Sequence, residues 1–133
     1  MHESLDTGVV DVYMPTHPEA LVLARLQVTA VGRFLDLDVD ELADLRLATE
    51  ELCLLALADH AVAGCRLHLI LEWEPSTISA ACELTGPDSD VVALASPDPL
   101  SSQILGALTD EVGVRDGPEG RRVWFRKKRV ATG

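Results

Sequence analysis

Glu50 and Glu51 stand side by side in the most strongly helical stretch of the chain. A carboxylate there could act as a general base on a hydroxyl or be an ordinary solvated acid. A base needs a substrate and an electrophile beside it, and neither residue brings one, so the exposed acidic pair is the plainer reading. His60 and His68 have no Cys, Asp or Glu at metal-ligand spacing: Asp59 adjoins His60 and so points elsewhere on a helix. Both read as structural or surface histidines, and no metal site is expected. The three cysteines, Cys53, Cys65 and Cys82, are an odd number without a CxxC pair, which argues against a disulfide framework and against a zinc knuckle. Cys53 and Cys82 fall on apolar faces and read as small buried hydrophobes. The only lysines are Lys127 and Lys128, so no glycine-rich loop with a phosphate-gripping lysine exists.

The elements that carry these residues follow from periodicity and punctuation. Residues 8–14 alternate as a short strand. Pro15 and Pro18 bracket a turn, and residues 19–35 form a first helix ending near Asp36-Leu37-Asp38. Asp38 and Glu41 have capping-box spacing, and a second helix is expected over residues 39–63, stopped by Gly64. Leu42, Leu45, Ala48, Thr49 and Leu52 recur at threes and fours along it, whereas residues 52–58 are apolar all round and need cover on more than one side. Strands at 66–73 and 77–84 meet across Pro75-Ser76, and residues 85–99 read as loop. A short helix runs from Pro99 to about residue 109 with Asp98 as N-cap, and strands at 112–115 and 122–128 form a last hairpin across residues 117–120. The order β-α-α-β-β-α-β-β implies an α+β two-layer sandwich, one mixed β-sheet with helices on one face.

At 133 residues the chain suits a single domain over 1–133 with an ordered core at about 8–129, and 47% hydrophobic residues exclude wholesale disorder. The net charge of −11 is lopsided. Residues 1–114 set four arginines against 20 acids, while residues 115–133 set seven basic residues against two. An acidic body disfavours nucleic acid and favours basic protein surfaces. Arg126-Lys127-Lys128-Arg129 reads as a solubilised edge strand. No secretory signal and no apolar run of membrane-spanning length is visible, so a reduced, cytoplasmic protein with no membrane partner is expected.

The string DVDELADLRLATEELC in the second helix, with ILGALTDEVGV and a closing strand further on, resembles the bacterial anti-sigma regulatory factors. These are serine-protein kinases with a histidine-kinase-like ATPase (GHKL, Bergerat) fold that work in partner-switching circuits of transcription and stress regulation. The similarity spans roughly residues 10–128. It implies a histidine-kinase-like domain, a sigma factor and a STAS-domain antagonist as partners, and a homodimer.

That family carries a Glu in the second helix as base and, four residues later, an Asn that holds Mg²⁺. Here Glu51 takes the first position, a vestigial base, and Leu55 the second, and the chain contains no Asn at all. The family's Asp-x-Gly-x-Gly, whose Asp binds the adenine amino group, is matched by Leu84-Thr85-Gly86-Pro87-Asp88. The Asp has become Leu, the second Gly has become Asp, and Gly86 alone remains. The phosphate-wrapping glycine loop is replaced by Asp98-Pro99-Leu100-Ser101-Ser102-Gln103. Leu84 cannot pair with an adenine edge, and leaving that edge unpaired costs about 1–3 kcal/mol. Without the Mg²⁺ ligand the phosphate charge is not neutralised, and without the glycines backbone N–H groups cannot come close. The resemblance therefore implies ATP and Mg²⁺ as the family's cofactors, and the substitutions imply a plugged cleft, no cofactor and no kinase activity.

What remains is recognition. In the resembled family an Arg of the first helix touches both the sigma factor and the antagonist, and Arg25 sits at the matching place. The competing reading is a solvated charge or an ion pair with Glu19 or Glu50. The acids Asp36, Asp38, Asp40, Glu41 and Asp44 either favour the start of the second helix through its dipole or greet a basic partner surface. Two rival functions stay open: an active serine kinase using Glu51 with Asp88 or Asp90 as substitute ligands, and a sensory module holding another small molecule in the altered cleft.

Overall fold

The computed structural model describes residues 6–57, 65–86, 99–117 and 120–129. Strand β1 (Gly8–Pro15) leads through a short 3-10 turn at Pro18–Ala20 into helix α1 (Leu21–Phe34) and helix α2 (Val39–Leu57). Strands β2 (Arg66–Trp73) and β3 (Thr77–Thr85) follow, then helix α3 (Pro99–Leu108) and strands β4 (Glu111–Gly117) and β5 (Gly120–Lys128). The expected continuation of α2 to residue 63 and its stop at Gly64 lie outside the described residues, as do Asp98 and most of the 85–99 loop.

The sheet order is β1-β2-β3-β5-β4, and every neighbouring pair is antiparallel. The expectation of a mixed sheet is thus corrected. Two helices in succession, α1 and α2, bring the chain back to the end of the sheet it left, so β2 runs antiparallel to β1. A single helix, α3, crosses once and leaves β4 running with β3, but β5 then inserts between them and pairs antiparallel with both. The same insertion corrects a second expectation. Arg126-Lys127-Lys128 belongs to an interior strand, and the edges of the sheet are β1 and β4.

Each strand sends alternate residues to opposite faces. Met14, Leu67, Leu69, Leu71, Ile78, Ala80, Cys82, Val123 and Phe125 point to one face and are buried. Helix α2 lies on that face against β2, β3 and β5 and is flanked by α1 and α3. Its buried residues Leu45, Ala48, Thr49, Leu52, Cys53, Leu55, Ala56 and Leu57 explain the all-round apolar stretch, which is covered by sheet and by two helices. Among the described residues of that stretch, only Leu54 stays exposed, at 41%.

Local chemistry sets the ends of these elements. Glu41 N–H donates to Asp38 Oδ1 at 2.7 Å and Asp38 N–H to Glu41 Oε1 at 3.4 Å, so the capping box operates with Asp as acceptor. Helix α1 ends through Asp36, whose φ of 58° is left-handed, with the Leu37 N–H donating to the Gly32 carbonyl at 3.0 Å. The Lys127 ammonium donates to the Leu108 carbonyl at 2.8 Å and so places a cation at the C-terminal end of α3. Pro75 and Ser76 form the two-residue loop between β2 and β3, closed by the Glu74 N–H to Thr77 carbonyl bond at 2.8 Å.

Candidate functional site

Helix α2 holds Glu51 and Leu55 one turn apart on one face. Glu51 is half-buried, and Leu55 is 4% exposed within the main core. Leu84, near the end of β3, is half-buried, faces the same layer as Cys82 and packs against that core. Gly86 follows β3 and is exposed. The structure thus places aliphatic side chains at positions 55 and 84 on the helix-covered side of the sheet, both joined to the hydrophobic core. Neither offers a donor, an acceptor or a charge. Asp88 and Asp90, the substitute ligands considered above, lie outside the described residues. Among the described residues no group of three or more His, Cys, Asp or Glu gathers where a metal ion could be held.

Arg25 projects from α1, and its Nε donates to the carboxylate of Glu50 on α2. The bond joins the two helices, and both partners keep contact with water, at 45% and 24% of the side chain. Such a pair is worth at most about 1 kcal/mol, so a partner's carboxylate can exchange for Glu50 at little cost. Val22, Leu23 and Leu26 around Arg25 are each more than 40% exposed, an apolar rim beside a single cation. The acids lie elsewhere. Asp36, Asp38, Asp40 and Asp44 are exposed and Glu41 half-buried at the turn between α1 and α2. Eleven residues of helix separate Arg25 from that turn, about 16 Å at 1.5 Å per residue. The residues read from the sequence therefore make two patches at opposite ends of a helical hairpin, and three of the acids already have local work: Asp36 turns the chain, and Asp38 and Glu41 cap α2.

One cluster escaped the sequence reading. His68 is 8% exposed on the face of the sheet away from the helices. Its Nε2 lies 2.8 Å from Asp11 Oδ2 and its Nδ1 3.2 Å from Glu83 Oε1. Tyr13 stacks on the imidazole at 4.1 Å, and Arg66 lies over the tyrosine ring at 5.0 Å. The tight Pro75-Ser76 turn fixes the His68–Glu83 pairing, and that half of the cluster was open to inference from the hairpin register. The Asp11 half needs β1 beside β2, a long-range pairing that no local signal reveals. Cys53 and Cys82 are buried as expected, with Sγ atoms 3.9 Å apart. Burial, followed by the neighbouring Cys53 thiol, pushes the Cys82 thiol well above its usual pKa.

The arrangement defines an α+β domain with an exposed apolar and cationic patch on α1 and a second helix packed into the core. No family model matches the chain. It is 37% identical over 107 residues to the anti-sigma-F factor RsbW of Mycobacterium tuberculosis, in the strains CDC 1551 and H37Rv alike. The matched stretch covers 77% of this chain and 59% of the relative, so the chain spans about three-fifths of the length of the curated relatives it matches.

Proposed function

We propose that this chain is an anti-sigma regulatory factor, a histidine-kinase-like domain that binds a sigma factor, a STAS-type antagonist, or each in turn. It acts by occupying surface and not by transferring phosphate. The observation that carries the reading is the 37% identity over 107 residues to proteins named as anti-sigma factors. Two features of the fold agree with it. Arg25 stands exposed within an apolar rim on α1. Leu55 in the core and half-buried Leu84 packed against it are the residues that the sequence resemblance matches to the kinases' Mg²⁺ and adenine ligands.

The patch on α1 suits a partner that presents a carboxylate amid apolar side chains, because such a group replaces Glu50 on Arg25 while the rim is covered. Truncating a charged interface anchor costs about 2 kcal/mol or more. The test is calorimetric titration of the purified chain with a sigma factor and a STAS-domain protein from the same genome. Binding of either, weakened about tenfold or more by Arg25→Ala, supports the reading. Absence of binding to both defeats it. Phosphate transfer from ATP to the STAS protein, abolished by Glu51→Ala, would establish the kinase reading in its place.

A further inference from the structure

The face of the sheet away from the helices is ordered in three rows across the strands. The middle row runs Ile70, Ala81, Trp124, Gly113 and is apolar. Trp124 is half-buried, and its cross-strand partner is Gly113. The indole lies over that glycine: a Cβ added at Gly113 would stand 2.3 Å from two indole carbons. Bare backbone at 113 is what lets the ring lie along the sheet and not stand away from it. On one side of this row Arg122 and Arg115 face each other across β5 and β4. On the other side lie Glu72, Ser79 and Arg126.

Arg115, Arg122 and Arg126 gather on one face of a chain whose net charge is −11, beside the acids Glu72, Glu83 and Glu111. Arg122 leans on Glu83 at 3.7 Å and Arg126 on Glu111 at 3.4 Å, and their side chains stay 42% and 52% exposed. Arg115 is exposed and has no ion pair among the described residues. Together with the indole these side chains line an open cavity of about 440 Å³, the size of a small-molecule site. A flat aromatic ring flanked by guanidinium groups on an open sheet is suited to a nucleobase carrying a phosphate, since the base stacks and the phosphate takes paired N–H donors.

We propose that this face is a nucleotide-binding site, separate from the helix-covered side of the sheet: the base stacks on Trp124, the phosphate sits between Arg115 and Arg122, and donors of the base or sugar reach Glu72 and Ser79. The inference is independent of partner binding through α1. Its test is titration of the full chain with adenosine 5′-monophosphate, without Mg²⁺, followed by Trp fluorescence and by amide chemical shifts. Saturable quenching is expected, with shifts confined to β2, β3, β4 and β5. The Arg115→Ala/Arg122→Ala double variant, altered only at exposed side chains, is expected to bind about tenfold or more weakly. Arg33→Ala is expected to bind as the parent does, and adenosine less well than its phosphate. Trp124→Leu, assayed by dialysis, is expected to lose binding. The proposal is overturned if neither this nucleotide nor guanosine or uridine monophosphate saturates a change, or if the double variant binds unaltered. Shifts on α2 in place of β4 and β5 also overturn it, and would show an open cleft on the helix side. Affinity that grows with the length of a single-stranded oligonucleotide overturns it in favour of a strand-binding surface.

Discussion

Asp36 holds a backbone conformation that costs an L-residue about 1–2 kcal/mol. Asp36→Gly is expected to stabilise the fold by about 0.5–1 kcal/mol after the greater chain entropy of glycine is deducted, read as a rise in Tm of about 2–4 °C. Cys82 supplies a second residue-scale test. Its thiol is pushed up by burial, so the folded state favours the neutral form. The native chain therefore holds its thiol proton where the unfolded chain has released it, above the ordinary thiol range near pH 8.5. Whatever Cys82 contributes to stability is complete below that pH and is lost as pH rises beyond it. Iodoacetamide at pH 8 is expected to label half-buried Cys65 well before Cys53 and Cys82, as peptide mapping will show. Equal labelling of all three would mean that the core opens readily.

At the scale of elements, α2 is the member whose sequence was easiest to read and whose surroundings were hardest. Its capping box and its three-four spacing of Leu45, Ala48, Thr49 and Leu52 are local signals, and the structure follows them. The five strands were likewise legible, because period-2 alternation and turn residues are written in consecutive positions. The all-antiparallel pairing was not, since it depends on β5 inserting between β3 and β4. The interior place of β5 was also hidden: a run of four basic residues marks exposure along a strand, and it does not reveal a second neighbour. Burial of Leu55 follows from three elements closing on α2 at once. Leu55→Asn, which introduces the amide that the resemblance matches to this position, is expected to cost about 2–4 kcal/mol by exchanging a packed side chain for an amide in the core. Urea unfolding measures that loss, and the variant is not expected to gain Mg²⁺-dependent ATP binding. A variant as stable as the parent would show that position 55 faces open space.

The whole molecule carries a net charge of −11, and on α1 it exposes Arg25 among the apolar side chains Val22, Leu23 and Leu26. Charge of this size steers association more than it tightens the complex. Association with a basic partner is expected to slow by about tenfold or more between low and high salt, while dissociation changes little, as stopped-flow mixing will show. The site was legible in parts. Arg25 could be singled out as one of four basic residues before position 115, but its bond to Glu50 and its separation from the acids at the α1–α2 turn belong to the packing of two helices. The central proposal is that recognition here proceeds without a nucleotide, the resemblance matching apolar Leu55 and Leu84 to the kinases' Mg²⁺ and adenine ligands. Calorimetric titration of the sigma factor into this chain, with and without saturating Mg²⁺–ATP, tests it most directly. The expected result is one complex of the same affinity in both titrations; a complex that forms only with Mg²⁺–ATP present would contradict the account.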